Sequence, residues 1–87
     1  MYRDYNKIRL LGKVIYKSKI KFEYKTLVCY GCIKLRTFEK HHEVIVCIFK
    51  DNDDFFKIKN LDIVYIEGYM IIKNNIHEVI VEECIKV

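Results

Sequence analysis

The chain has 87 residues and a formal net charge of +4, with no proline and only three glycines. Its richness in Ile, Val, Tyr and Phe favours strands and argues against a disordered chain. Charges interrupt every long apolar run, so the sequence has no membrane span and no secretory signal, and we expect a cytoplasmic protein. The length predicts one small domain over residues 1–87, in which residues 1–5 form a short N-terminal arm.

Cationic residues are concentrated in the first part of the chain. Residues 1–40 contain 11 Lys and Arg against 3 Asp and Glu, whereas residues 41–87 contain 5 against 9. The first part therefore carries +8 and the second −4. A basic half on a small strand-rich domain is typical of a protein that binds a polyanion, and a solvated basic surface is the alternative.

The four cysteines do not form a convincing metal site. They are Cys29, Cys32, Cys47 and Cys84. The single C-x-x-C lies in a predicted strand, where a three-residue offset points two side chains to opposite faces, and His41 and His42 lack ligand spacing. We therefore expect reduced thiols and no metal or cofactor. No paired carboxylates, activated nucleophile or phosphate loop indicate an enzyme, so we expect no catalytic residue.

The first predicted strand covers residues 6–17, with a bend at Gly12. One predicted face is apolar and consists of Ile8, Leu10, Val14 and Tyr16. The other is basic and consists of Lys7, Arg9, Lys13 and Lys17. Lysines on edge strands prevent sheet aggregation, but four cations on one face exceed that need, and we interpret them as a binding surface.

The second predicted strand is long, from Phe22 to about Thr37. Its odd positions suit the core and are Leu27, Cys29, Gly31, Ile33 and Leu35. Its even positions interleave aromatic and basic side chains and include Tyr30, Lys34 and Arg36, with Phe38 beyond the end. Bases can stack on such aromatic rings while the cations meet phosphates.

The third predicted strand covers residues 43–50 and contains a run of apolar residues. We predict that Val44, Val46 and Ile48 face inward. We predict that Ile45, Cys47 and Phe49 face outward, which makes Phe49 a candidate for base stacking. The acidic run 51–54 then favours the start of a short helix.

Two further strands complete the predicted sheet. Residues 61–73 form the fourth, with Val64, Ile66 and Met70 on one face and Tyr69 and Lys73 among those on the other. Gly68 marks a bulge, a sharp corner or the close approach of another backbone within it. The Asn-Asn pair at 74–75 suits a tight turn into the fifth strand, residues 76–87. This order predicts an all-β, five-stranded OB-fold barrel with a short helix between strands 3 and 4.

Four segments resemble bacterial single-stranded-DNA-binding proteins, the SSB family. Residues 6–14, NKIRLLGKV, resemble the opening N-K-V-x-L-x-G-x-L strand of that family. Residues 33–37 and 46–50 are similar to its second and third strands. Residues 63–68, IVYIEG, match its V-Y-I-E-G signature most closely. The resemblance extends from about Asn6 to Val81, with the segments in the family's order.

The resemblance implies a non-enzymatic OB domain that forms homo-oligomers, dimers or tetramers, and binds single-stranded DNA in replication, recombination or repair. It places Phe49 at a base-stacking position and Lys34, Arg36 and Lys73 at polar or basic positions of the sheet. The chain has no tryptophan, so Tyr30, Phe38, Phe49 and Tyr69 would replace the usual stacking residues. The acidic C-terminal tail of the family is missing, which also resembles the tailless primosomal OB proteins and implies replication or primosome proteins as partners.

The predicted nucleic-acid interface combines the residues indicated by the strand patterns with those that the resemblance implies. It consists of Lys7, Arg9, Lys13, Lys17, Tyr30, Lys34, Arg36, Phe38, Phe49, Tyr69 and Lys73. We expect it to bind single-stranded DNA largely independently of sequence. The alternative is an OB-fold accessory module in which the same face binds a protein partner or RNA. Salt separates these hypotheses, because phosphate binding weakens steeply with added salt and a hydrophobic interface does not.

Overall fold

The computed structural model describes residues 6–38 and 43–87. The predicted N-terminal arm and the two histidines at 41–42 lie outside this part of the chain. The elements are β1 (Lys7–Lys17), β2 (Lys21–Glu23), β3 (Val28–Thr37), β4 (Val44–Lys50), a 3₁₀ helix (Asp53–Lys57), β5 (Ile63–Lys73) and β6 (Ile76–Lys86). The all-β prediction is confirmed.

Five of the strands close into a barrel in the order β1-β5-β6-β4-β3, with β3 pairing back onto β1. The β4–β6 pairing is parallel, and the other pairings are antiparallel. Strand β2 lies outside the barrel, where it pairs only with β3 and extends it as a ribbon. The predicted five-stranded barrel is therefore confirmed, with β2 as one additional strand. Closure of the barrel leaves few unpaired backbone groups at strand edges.

Two details of the predicted element order are wrong. The long strand predicted from Phe22 is divided into β2 and β3 by a turn, in which Leu27 has a φ of 58° and is 70% exposed rather than in the core. The helix lies between β4 and β5, not between strands 3 and 4, because β2 is an additional strand. It is one 3₁₀ turn, capped by Asn52, whose side chain accepts a hydrogen bond from the Asp54 N–H.

The orientation predicted for the third strand, now β4, is also wrong. Cys47 is fully buried and Phe49 is 1% exposed, whereas Val44 is 48% exposed. The register explains this, because Phe49 lies opposite Gly31 on the inner face of β3. The β4 sequence VIVCIFK is apolar at nearly every position and carries no period-2 signal, so its own residues do not reveal which face is buried.

A β-bulge in β1 changes the face on which its last residues lie. Val14 pairs with Leu35 inside the barrel, but the register then shifts, and Tyr16 pairs with Lys34 on the outside. Lys17 consequently turns inward. The predicted orientation holds for Val14 and is wrong for Tyr16 and Lys17, because one extra residue in a strand reverses every side chain beyond it.

The predicted irregularity at Gly68 and the predicted tight turn at residues 74–75 are both confirmed. The β5–β6 register shifts between Glu67 and Gly68, and a Cβ at Gly68 would collide with the carbonyl oxygen of Ile80. Asn74 and Asn75 have φ values of 52° and 66°, the left-handed geometry that a two-residue hairpin turn requires.

The buried position of Phe49 predicts a loss of stability when its ring is removed. Replacing Phe49 with Ala should lower the free energy of unfolding by about 3–5 kcal/mol, because the core cannot fill the space left by the ring. Urea denaturation measures this loss, and Phe49→Leu should show a smaller one. The matched control is Phe56→Ala, because Phe56 is 66% exposed. Equal stability of Phe49→Ala and wild type would contradict the buried position.

Candidate nucleic-acid interface

A groove of about 520 Å³ lies on the outer face of the barrel, where the end of β1, the β2–β3 ribbon and β4 meet. Its walls are formed by Tyr16, Ser18, Lys19, Lys21, Tyr30, Gly31, Cys32 and Ile48. These residues include two tyrosines and two lysines and no carboxylate. The groove therefore offers aromatic surface and positive charge together.

The strand pairing of β3 determines which residues lie at the centre of this groove. Tyr30 lies opposite Lys21 on β2 and opposite Lys50 on β4. The Lys50 Nζ atom is 5.9 Å from the centroid of the Tyr30 ring. Ser18 fixes the connection that precedes β2, because its Oγ accepts a hydrogen bond from the Cys32 N–H at 3.0 Å. Strands β2 and β4 and the segment at Ser18, which form the walls of the groove, are thus all hydrogen-bonded to β3.

The bulge in β1 places a second ring beside the cations of β3. Tyr16 is 47% exposed, and the Lys34 Nζ atom is 5.5 Å from the centroid of its ring. Further along β3, Arg36 lies opposite Lys13, and both side chains are exposed. Phe38, 48% exposed, follows the end of the strand. We call the continuous surface of Tyr16, Lys19, Lys21, Tyr30, Lys34 and Arg36 the β3 face.

Two of the predicted interface residues face inward instead of onto this surface. Phe49 is in the core, and base stacking, its predicted role, needs an exposed ring. Lys17 points to the 3₁₀ helix, where its Nζ donates a hydrogen bond to the Ile58 carbonyl at 2.8 Å and lies 4.5 Å from the centroid of the Phe55 ring. We therefore leave both residues out of the candidate interface.

Lys7 and Arg9 are exposed but have acidic partners. The Lys7 Nζ atom is 3.3 Å from a carboxylate oxygen of Glu82, and the Arg9 Nε atom is 2.8 Å from one of Glu67. A hydrogen bond from the Tyr65 hydroxyl and a second from Arg9 lower the pKa of Glu67 below its usual value. Glu67 therefore stays ionised at neutral pH, and its charge offsets that of Arg9.

Tyr69 and Lys73 lie on β5, on a different part of the barrel surface from the groove. Tyr69 is 36% exposed and lies opposite Lys7 on β1 and Ile80 on β6. Lys73 is the last residue of β5. In the barrel order, β5 is separated from β3 by β1 on one side and by β6 and β4 on the other. The structure therefore does not bring these two residues to the groove.

Sequence reasoning missed several residues of the groove. They are Tyr16, Lys19, Lys21, Cys32 and Ile48, together with Lys50 beside the Tyr30 ring. Tyr16 was missed because the alternation of β1 gives no sign of the bulge. Lys19 and Lys21 lie between the first and second predicted strands, yet the sequence there already alternates lysines with Ile20 and Phe22. That alternation could have revealed β2.

The cysteines do not group into a metal site. In the described residues, 6–38 and 43–87, no three His, Cys, Asp or Glu side chains come close enough to hold a metal ion. All four thiols are free, and those at positions 29 and 32 face opposite sides of β3, as the strand offset predicts. Burial raises the pKa of Cys47 and that of Cys84 to about 12. Both buried thiols therefore stay protonated at neutral pH.

No helix in the part of the chain that the structure describes is long and apolar enough to cross a membrane.

Comparison with solved structures identifies the architecture. The SSB domain of a Synechococcus protein superposes with a TM-score of 0.79 at 12% identity, over 97% of this chain and 98% of that one. The N-terminal domain of PriB from Thermoanaerobacter tencongensis, described as dimeric, gives 0.77 at 17% identity, over 94% and 96%. The Thermus aquaticus single-stranded DNA binding protein gives 0.80 at 8% identity, over 94% of this chain and 40% of that one.

The barrel has the OB fold of SSB domains and PriB. The resemblance read from residues 6–81 is therefore confirmed for the fold. No protein-family model matches the chain, and no curated protein matches it. The similarity thus lies in the path of the backbone.

The difference in burial predicts that the four thiols react in two classes. Near pH 8, a soluble aromatic disulfide should label Cys29 and Cys32 in the folded protein, because both are partly exposed. It should leave Cys47 and Cys84 unlabelled until urea unfolds the chain. Mass spectrometry of peptides identifies the labelled positions. Rapid labelling of Cys47 in the native state would contradict the barrel register.

Proposed function

We propose that this protein binds single-stranded DNA along the β3 face, largely independently of sequence. The observation that carries the proposal is the alternation of tyrosine rings with lysine side chains around one open groove. Phosphates meet the cations, and bases stack on Tyr16 and Tyr30. Each stacked base contributes about 1–3 kcal/mol to binding, and stacking accepts every base because each has a π-face.

The solved structures support this choice of ligand. Two of the similar proteins are described as an SSB domain and a single-stranded DNA binding protein. We extend the proposal to a role in replication, recombination or repair. In this proposal residues 1–87 form one OB domain, which acts by binding and not by catalysis. The dimeric description of the PriB domain supports a homo-oligomer here. Replication or primosome proteins are the proposed further partners.

The deciding experiment is fluorescence anisotropy of labelled oligo-dT at low and moderate salt, with duplex DNA and single-stranded RNA of equal length as competitors. Duplex DNA should compete poorly, because its bases are stacked on each other and cannot reach Tyr16 and Tyr30. Affinity should fall steeply with salt. Stronger competition by RNA would favour the RNA alternative. No binding at low salt would overturn the proposal and favour a protein partner for this face.

The cations of β3 should carry part of the salt dependence. Lys34→Ala combined with Arg36→Ala should weaken oligo-dT binding and reduce the slope of log K against log salt by about 1.4, or ~0.7 for each lost phosphate contact. The control is Lys57→Ala combined with Lys86→Ala, which removes the same charge from ion pairs with Asp54 and Asp62. Equal salt slopes for the two double variants would show that Lys34 and Arg36 do not contact the phosphates of the bound DNA.

Bound DNA should protect one of the two accessible cysteines. Cys32 lies in the groove, whereas Cys29 faces the other side of the sheet. At oligo-dT about tenfold above Kd, labelling of Cys32 should slow by about tenfold, because the free fraction falls by that factor. Labelling of Cys29 should not change. Cys29→Ser and Cys32→Ser separate the two rates, and protection of Cys29 alone would place the DNA on the opposite face.

A further inference from the structure

The face of the β2–β3 ribbon opposite the groove carries a second, smaller cleft. It has a volume of about 190 Å³ and lies between the ribbon and the 3₁₀ helix. Ile20 and Cys29 line it from the ribbon side, and Phe55 and Phe56 line it from the helix side. A cleft of this size accommodates one large apolar side chain.

Exposed apolar side chains surround this cleft. Ile20 is 41% exposed and Phe56 is 66% exposed. Phe22 lies opposite Cys29 in the register and is 44% exposed. Tyr24 packs edge-on against it with ring centroids 5.0 Å apart, although it is 81% exposed itself. A contiguous apolar patch of this kind on a small protein marks an interaction surface.

The charge around the cleft is opposite to that of the groove. Two aspartates, Asp51 and Asp53, line it, and no Lys, Arg or His does. Both are exposed, and neither forms an ion pair with another described residue. Asp51 is held in place because its Oδ1 accepts a hydrogen bond from the Cys29 N–H at 2.8 Å. Carboxylates at the rim repel phosphate, so nucleic acid does not suit this cleft.

We propose that the cleft binds a segment of another protein in which a large apolar side chain is flanked by Lys or Arg. The apolar side chain enters between the ribbon and the 3₁₀ helix and covers the exposed rings. The flanking cations meet Asp51 and Asp53. Charge complementarity selects this occupant over nucleic acid, because the rim is acidic and the centre apolar.

The cleft and the groove can be occupied at the same time. Along the chain, Lys19 and Lys21 line the groove, whereas Ile20 lines the cleft and Phe22 lies beside it. This alternation over residues 19–22, the last two of which are in β2, assigns opposite faces of the segment to two ligands of opposite charge. The protein can thus hold DNA in the groove on one face and bind a partner protein in the cleft on the other.

The test uses three fluorescein-labelled peptides measured by anisotropy against the whole protein. The first has Leu-Phe-Leu between pairs of lysines, the second replaces the lysines with glutamates, and the third replaces the apolar centre with Ser-Gly-Ser. Only the first should bind. Asp51→Asn combined with Asp53→Asn should weaken its binding by about fivefold, and Phe56→Ser should weaken it by about tenfold.

The variants are chosen to keep the fold. Asn tolerates the φ of 46° at Asp51 and can still accept the Cys29 hydrogen bond. Glu43→Gln combined with Glu83→Gln is the matched charge control and should bind the first peptide as wild type does. Oligo-dT affinity should stay within about twofold in the Phe56→Ser variant, because that ring lies away from the groove.

Three outcomes would overturn the proposal. Equal binding of the lysine and glutamate peptides would show that the carboxylates do not select the partner. Binding of none of the peptides would remove the cleft as a docking site for such segments. A self-association of the protein that Phe56→Ser abolishes would assign the patch to a second copy of this chain. None of these outcomes depends on whether the groove binds DNA.

Discussion

The fold and both proposed surfaces depend on the alternation of side chains along β3. Gly31 fixes that alternation, because a Cβ at this position would lie 2.5 Å from the ring of Phe55. A shift of one residue would bring a side chain under that ring and turn Tyr30, Lys34 and Arg36 into the core. With Gly31 beneath Phe55, the β1 and β4 pairings follow, and the basic and aromatic residues must lie outside.

The bulge in β1 links the groove to the 3₁₀ helix. Before it, Val14 completes the core, and after it, Tyr16 moves outward to join Lys34. The same shift turns Lys17 inward, where it bonds to the Ile58 carbonyl and covers Phe55. One extra residue therefore provides an aromatic wall for the groove and a cationic contact that holds the 3₁₀ helix in place.

Side-chain alternation decided how far the sequence could predict this structure. In β3 and β5 the apolar and polar residues alternate, so the outward placement of Tyr30, Lys34 and Arg36 could be predicted. In β4 nearly all residues are apolar, and the face that carries Phe49 depends on pairing with Gly31, a contact between distant residues. The bulge before Tyr16 and the Arg9–Glu67 ion pair likewise arise from pairing between strands, which no single segment reveals.

Hydrogen bonds on both sides hold the β3 strand of the β2–β3 ribbon to neighbouring segments of the chain. On the groove side, Ser18 bonds to the backbone of Cys32 through its hydroxyl and its N–H. On the cleft side, the Asp51 side chain accepts the Cys29 N–H, and the Asp51 N–H donates to the Cys29 carbonyl. These bonds fix the backbone of Cys29 and Cys32 before any ligand arrives, which lowers the entropy lost on binding. A ligand on either face then meets a backbone that is already fixed, with lysines on one side and carboxylates on the other.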